Sequence, residues 1–203
     1  MTRTFLLSPA YAGGQRAKML LSDRAQFALA RRLRGGETVS LGEVFTFLSG
    51  LYFRGKLAYG NTFARPDLSR VLVITPTRGL VPADTAVTLS DLREFAEVDI
   101  EEGDPRYRKP LERALRVLVR HLTPECEVVL LGSIATGKYV DVLLEILRER
   151  LLFPGDFVGR GDMSRGGLLL RCAADQTELN YIPVHGARRK GKRPPKLTPR
   201  RYT

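Results

Sequence analysis

The sequence predicts an α/β fold: a three-layer α/β/α sandwich around a small, mainly parallel sheet, with a C-terminal β-hairpin and a disordered basic tail. Short apolar runs alternate with segments of helical periodicity along most of the 203 residues. Several of these runs are apolar on both faces, which is typical of parallel strands covered by helices. We therefore expect one α/β domain at residues 1–184 and a basic tail at residues 185–203.

The N-terminal segment predicts one strand followed by helices. Residues 4–7 are an apolar run closed by a Ser-Pro pair, which indicates the first strand. A helical pattern at 22–34 ends at two glycines. Ser40 and Glu43 have the spacing of a capping box, so a long helix or a broken pair is expected to run to about residue 63.

The middle of the chain predicts two further strands and three helices. The β-branched run at 70–75 lies between prolines and is typical of a buried strand, as is the apolar run at 127–131. Amphipathic periods predict helices at 88–97, 110–122 and 139–150, the second with a proline in its first turn.

The C-terminal part predicts a last strand and a hairpin. Residues 151–153 and 157–158 are expected to form the fourth strand. Segments 168–173 and 178–184 flank the four residues 174–177, which resemble a hairpin loop, so a β-hairpin is predicted.

The positive charge is concentrated at the C-terminal end. The chain has 33 Lys and Arg against 22 Asp and Glu, a net charge of +11, but without residues 185–203 the net charge is only +3. The tail lacks acidic residues, and its prolines and glycines disfavour a helix. Its basic residues are Arg188, Arg189, Lys190, Lys192, Arg193, Lys196, Arg200 and Arg201. Such a segment can follow the phosphates of RNA or DNA, or bind another polyanion; the alternative is a solubilising end.

Four loops rich in glycine, hydroxyl and basic residues follow the predicted strands, at residues 8–18, 75–84, 132–138 and 159–167. In an α/β sheet such loops gather at the carboxyl edge, where ligands bind. Backbone N–H groups and cations suit a phosphate-bearing ligand, although each loop can also be a simple turn. The candidate anion- or nucleotide-binding residues are Ser8, Lys18, Arg78, Gly132, Ser133, Gly137, Lys138, Arg160 and Arg165.

The loop at 132–138 matches the G-x-x-x-x-G-K part of a P-loop between a strand and a helix. Tyr139 follows, where magnesium binding needs Ser or Thr. The pattern therefore favours an anion held at a helix N-terminus over a nucleotide triphosphatase.

Candidate catalytic groups are few. Asp162 lies among basic residues near Ser164, so it can serve as a base or orient a sugar hydroxyl, or it can cap a helix. Asp84 has the same two interpretations. These residues do not assemble into a complete set of nucleophile, base and orienting group, so the sequence leaves open whether the protein is an enzyme.

The composition argues against several other classes. Cys126 and Cys172 have no metal-ligand spacing, so we expect no metal and no cofactor, and two reduced, buried thiols. The apolar runs are far shorter than a membrane span, so we expect a cytoplasmic protein with no membrane partner. The aromatic-rich segment 41–63 is expected to pack in the core, unless Tyr52 or Tyr59 is exposed as a platform for base stacking.

Residues 71–100, with Gly79, Leu80, Val81 and Pro82 in a strand-to-turn order, resemble a segment of the C-terminal region of archaeosine synthase and of domains associated with tRNA-guanine transglycosylase. Segments 4–18 and 47–60 are similar to small uncharacterised bacterial proteins. The resemblance implies a uracil-DNA glycosylase-like fold in a setting of nucleic-acid or modified-base chemistry. A Ser-Pro pair stands where archaeosine synthases carry Pro-Cys, so the resemblance implies the fold and no particular activity.

The leading hypothesis from the sequence is a nucleic-acid-binding α/β protein that uses the basic tail and the strand-end loops. The alternative is an enzyme acting on a nucleotide, nucleoside or modified nucleobase in a strand-end pocket. A third hypothesis is an interaction module whose tail docks on an acidic protein or on ribosomes.

Overall fold

A computed structural model describes residues 2–64 and 71–199 and shows an α/β fold. The six strands of its single sheet are β1 (Arg3–Leu7), β2 (Val71–Thr75), β3 (Gly79–Pro82), β4 (Glu127–Leu131), β5 (Leu151–Pro154) and β6 (Tyr181–Pro183). The α-helices of the described residues are α1 (Gln15–Leu21), α2 (Ala28–Arg34), α3 (Leu41–Ser49), α4 (Leu51–Phe63), α5 (Leu89–Ala96), α6 (Pro105–His121), α7 (Gly137–Leu147) and α8 (Asp162–Ala174).

The sheet is mixed, with the order β3-β2-β1-β4-β5-β6. β2, β1, β4 and β5 are parallel, whereas β3 and β6 run antiparallel to their neighbours. The prediction of a mainly parallel sheet was therefore wrong at both edges. Residues 79–82 were expected to be part of a loop. Residues 76–78 instead form a tight turn, so residues 79–82 run back along β2 and pair with it as the antiparallel strand β3.

The central strands are buried as their composition predicts. Residues 128–131 of β4 are all fully buried, and β1 and β2 each hold four consecutive buried residues. Because successive side chains of a strand point to opposite faces, both faces of the sheet are covered at its centre. β2 was expected to begin at residue 70, which lies outside the described residues.

Several helix boundaries follow their capping groups. The backbone N–H of Glu43 donates to Ser40 Oγ at the start of α3, which is one of the two hydrogen bonds of the predicted capping box. Thr88 caps α5, a helix that was predicted without its cap. The long helix breaks in two at Gly50, whose φ is 66°. α6 begins earlier than predicted because Asp104 caps it, which leaves Pro110 in the second turn.

Two other predictions, one of a helix and one of a hairpin, were wrong. The segment 22–34 was expected to be one helix, but Ser22 ends α1, and α2 begins at Ala28. The C-terminal hairpin is absent because residues 168–173 belong to α8. The buried positions of α8, which include Leu169, Cys172 and Ala173, have the three- and four-residue spacing of a helix face.

The described part of the tail, residues 185–199, has no helix or strand, as predicted. It nevertheless makes contacts with the body. Arg189 Nη2 donates to Asp141 Oδ1 of α7 at 2.5 Å, and Arg171 Nη2 of α8 donates to the Thr198 carbonyl at 2.5 Å. These contacts are an ion pair and a hydrogen bond to a backbone carbonyl. Neither requires the proline-rich tail to form a helix or a strand. Arg200 and Arg201 lie outside the described residues.

None of the described helices is long and apolar enough to cross a membrane. Cys126 and Cys172 are buried, as expected, and are not joined by a disulfide.

Candidate functional site

The carboxyl ends of β1 and β4 lie side by side and bring two of the predicted loops together. The Ser8 N–H donates to the Leu131 carbonyl at 3.2 Å, which extends the pairing of the two strands by one residue. Gly132 follows directly and packs against Ser8 so closely that a Cβ would lie 2.8 Å from that of Ser8. Ser8 and Gly132 therefore form the floor of one strand-end site.

Lys56 of α4 reaches this floor from within the protein. Its side chain is only 1% exposed, and its Nζ donates to the Ser8 carbonyl at 2.6 Å and to Ser8 Oγ at 2.8 Å. The amine also lies 4.6 Å and 4.7 Å from the ring centres of Tyr52 and Phe53. Hydrogen bonds and ring faces thus replace part of the water that a lysine normally keeps.

Burial lowers the pKa of Lys56 to about 7. The carboxylate of Asp162 opposes this shift, and the guanidinium of Arg165 adds to it. The amine is therefore partly neutral near pH 7, which allows it to accept a proton.

α8 supplies two charged groups to the same site. Arg165 is buried and donates to the Phe157 carbonyl through Nε at 3.2 Å and Nη2 at 3.1 Å, and it lies 3.3 Å from Asp162 Oδ1. The helix can come this close because Gly55 of α4 and Gly166 of α8 face each other without side chains; a Cβ on Gly55 would lie 2.6 Å from the Gly166 carbonyl oxygen.

Tyr139 lies between the buried residues Ser8 and Lys56 and a surface cleft. Its hydroxyl donates to the Ser133 carbonyl at 2.7 Å and lies beside Gly132, as Ser8 does. Burial raises the pKa of Tyr139 to about 12, so the phenol stays protonated. Tyr139 stands where a P-loop would have its hydroxyl residue, and it occupies that place as a core side chain.

The cleft has a volume of about 470 Å³ and borders the exit of β1 and the start of α7. It is lined by Pro9, Ala10, Tyr11, Asp99, Ile100, Glu101, Lys138 and Tyr139. Tyr11 is 64% exposed, so one aromatic face is available to a ligand. Tyr52 and Tyr59 are buried, so they do not form the stacking platform considered above.

The start of α7 is surrounded by carboxylates. Lys138 Nζ pairs with Glu101 at 3.1 Å, and the carboxylates of Asp141 and Glu102 lie against Gly137. Within the loop, Ser133 Oγ accepts from the Ala135 N–H at 3.3 Å. The P-loop-like segment therefore combines a helix N-terminus with local negative charge.

The structure thus brings some predicted residues together: Ser8, Gly132, Ser133, Asp162 and Arg165. Ser164 and Arg160 lie close by, where Arg160 Nη1 donates to Ser164 Oγ at 3.2 Å.

The other predicted residues lie elsewhere or have other partners. Asp84 is at the opposite edge, because the preceding residue, Ala83, pairs with the first residue of β2. Arg78 Nη2 lies 2.5 Å from both Asp91 and Glu94, and its hydrogen bond lowers the pKa of Glu94. Lys18 is exposed on α1. Asp84 therefore does not share the strand-end site.

Sequence reasoning missed Lys56 and Tyr139. Lys56 lies four residues after Tyr52 and three before Tyr59, so it falls on the aromatic face of α4. A lysine at that position on an otherwise apolar face is the signal that could have identified it.

No metal centre is formed by the residues that the structure describes: they contain no group of three or more His, Cys, Asp or Glu side chains that could hold an ion. Comparison of the chain with protein-family models, with curated proteins and with solved structures gives no match. The resemblance to archaeosine synthase domains stays a prediction.

Proposed function

We propose that this protein binds nucleic acid through its basic tail and the strand-end loops beside it. The observation that carries the proposal is the placement of the tail on the body. Arg188, Lys190, Lys192, Arg193 and Lys196 are all exposed. A row of exposed cations without acidic residues gains affinity for a phosphate backbone by releasing counterions.

The tail lies beside the β5–α8 loop. Gly159 of that loop has no room for a Cβ because the Lys192 carbonyl lies against it, and a Cβ on Gly191 would lie 2.7 Å from Val158 Cγ1. Arg160 follows directly in the loop. The tail and the loop thus offer adjoining cations, which supports a shared phosphate-binding surface.

The test compares two full-length variants that each lose three positive charges. One changes Lys190, Lys192 and Arg193 to Gln, and the control changes three exposed arginines of α6 to Gln. Those arginines are Arg113, Arg116 and Arg120. Affinity for labelled single-stranded and duplex oligonucleotides is measured across a salt series. We expect the tail variant to lower the slope of log affinity against log salt by about 2–3 and the control to leave it unchanged. Equal slopes would contradict the proposal.

A second candidate function is an enzyme acting on a nucleoside or modified nucleobase in the cleft. The exposed ring of Tyr11 beside Asp99 and Glu101 favours it, because the ring can stack on a base and the carboxylates can accept hydrogen bonds from it. Nucleosides should raise the melting temperature more than nucleotides, whose phosphates these carboxylates repel. Tyr11→Ala should abolish the rise. No shift with any nucleoside would contradict this candidate.

We also propose the three-layer arrangement and a cytoplasmic location. α4 packs on β1, β2 and α8, while α6 and α7 pack on each other and on β2, β3 and β5, which supports two separate helical layers. Two buried cysteines that do not form a disulfide support a reducing compartment.

A further inference from the structure

Ser8 and Lys56 have the geometry of a nucleophile and its base. Ser8 Oγ lies 2.8 Å from Lys56 Nζ, within the range over which an amine can take the proton of a hydroxyl. The second contact of the amine, 2.6 Å to the Ser8 carbonyl, holds it beside Oγ. Ser8 directly follows β1, and Lys56 lies in the middle of α4. The packing of these two regular elements therefore fixes the distance between Oγ and Nζ.

Burial, rather than the charges around it, favours the neutral form of the amine. Asp162 and Arg165 face it from α8 with opposite charges, and Tyr52 contributes a ring from α4. Burial dominates these contributions and lowers the pKa of Lys56 to about 7. A neutral amine at slightly alkaline pH can accept the Ser8 proton.

The pair has a connection to the cleft. Ser8 is 5% exposed and directly precedes Pro9, which lines the cleft together with Tyr139. Tyr139 stays protonated and donates to the Ser133 carbonyl, so its ring forms a fixed wall between Ser8 and the cleft. The cleft volume of about 470 Å³ is sufficient for a small acyl group.

We propose that Ser8 and Lys56 form a catalytic pair that hydrolyses a carboxylic ester or amide whose acyl group enters the cleft. This activity goes beyond nucleic-acid binding and does not depend on it.

The steps balance with water as the co-reactant. Ser8 Oγ forms a bond to the carbonyl carbon while its proton passes to Lys56 Nζ. The bond from that carbon to the leaving oxygen or nitrogen then breaks, and the leaving group takes the proton from Lys56. Water attacks the acyl-serine, gives a proton to Lys56, and releases the carboxylic acid as that proton returns to Ser8 Oγ.

The test uses an alkyl fluorophosphonate, which phosphonylates an activated serine and releases fluoride. The full-length protein is labelled in its folded state, and the modified residue is identified by peptide mass spectrometry. We expect the adduct on Ser8. We expect the labelling rate to rise about tenfold between pH 6 and pH 8, because the neutral fraction of an amine with a pKa of about 7 rises by that factor.

Variants separate this role from a structural one. Ser8→Ala should remove the adduct, and Lys56→Met should slow labelling at pH 8 by about 100-fold or more. The matched controls Ser90→Ala and Arg54→Met change an exposed serine and the exposed arginine two residues before Lys56, and should label at the wild-type rate.

Three results would overturn the proposal: no adduct on Ser8 of the folded wild-type protein, a labelling rate that does not change with pH, or equal labelling of a folded Lys56→Met variant. If Lys56→Met does not fold, the wild-type pH profile decides. Labelling is measured without nucleic acid, so its failure is distinct from a failure of the nucleic-acid proposal.

Discussion

Lys56 is held in the protein interior by a small number of specific contacts. Ser8 provides two hydrogen-bond acceptors for its amine. The faces of the Tyr52 and Phe53 rings carry partial negative charge, which attracts the protonated amine. These contacts do not fully replace hydration, since burial still lowers the pKa of Lys56 to about 7. The residue should therefore make the stability of the protein depend on pH.

The unfolded chain binds a proton at Lys56 up to pH of about 10, whereas the folded protein releases it near pH 7. Between these values the unfolded state binds more protons, so the free energy of unfolding should increase as the pH rises from 7 to 9. The contribution of one group has a limiting slope of about 1.4 kcal/mol per pH unit. In Lys56→Met this contribution should disappear. Urea unfolding at several pH values measures it.

Arg54→Met is the matched control for this experiment, because Arg54 lies on the same helix and is exposed. Its variant should keep the wild-type increase. The same pH dependence in Lys56→Met and wild type would mean that Lys56 does not titrate in this range.

At the residue level the sequence predicted those members of the site that belong to local patterns. Ser8 and Gly132 directly follow strands, so the rule that ligands bind at carboxyl strand ends identified them. Lys56 lies 48 residues from Ser8 in the chain, and their contact depends on how α4 packs. A pattern within one segment does not contain that information.

The contact between α4 and α8 positions both Lys56 and Arg165. A Cβ on Gly166 would lie 2.7 Å from the Leu51 carbonyl oxygen and 2.8 Å from the Tyr52 Cα, so the two helix backbones approach where side chains are missing. Gly167, the next residue of the same helix, has only the Leu197 side chain at 3.5 Å. Two adjacent glycines therefore have opposite tolerance for a methyl group.

Gly166→Ala should destabilise the protein by about 1–3 kcal/mol, because the added Cβ meets backbone atoms that cannot move without separating the helices. Gly167→Ala should leave the stability unchanged or raise it by up to about 1 kcal/mol, since alanine favours a helix. Chemical denaturation measures both. A loss of stability in Gly167→Ala equal to that in Gly166→Ala would contradict the close helix contact as the cause.

At the level of elements, β1, β2 and β4 were predicted correctly. Helices cover both faces of these strands, so their residues form a continuous apolar run in the sequence. The short edge strands have no such run: β3 was expected to be part of a loop, whereas β6 lies within the segment 178–184 that was predicted as a strand of the hairpin. Residues 168–173 formed an apolar window too short to separate a strand from a helix. The period of α8 is evident only over its full length, where Arg165 and Gly166 take part in the buried face.

At the level of the whole molecule, the tail crosses from α7 to the β5–α8 loop and on to α8. Its contacts begin with Arg189 on Asp141, continue at Gly159, and end with Thr198 on Arg171. α7 carries Tyr139 and α8 carries Arg165. The tail thus joins the two helices that flank the strand-end site.

Gly159→Ala should release the tail, because a Cβ overlaps the Lys192 carbonyl and the φ of 76° is unfavourable for alanine. Trypsin should then cut at the tail lysines and arginines several-fold faster. Gly36→Ala is the control: Gly36 has a φ of 72° but no atom within 4 Å of its Cβ position, so that variant has the same backbone strain without a tail contact. Equal cleavage of both variants would show that Gly159 does not hold the tail.

The two antiparallel edge strands have a consequence for solubility. β3 has four residues and β6 has three, and both end in a proline, which offers no N–H to a further strand. An open sheet edge is a template for strand addition by a second molecule, and short edges closed by proline weaken it. The parallel strands that form the strand-end site are thereby kept inside the sheet, away from edge-to-edge aggregation.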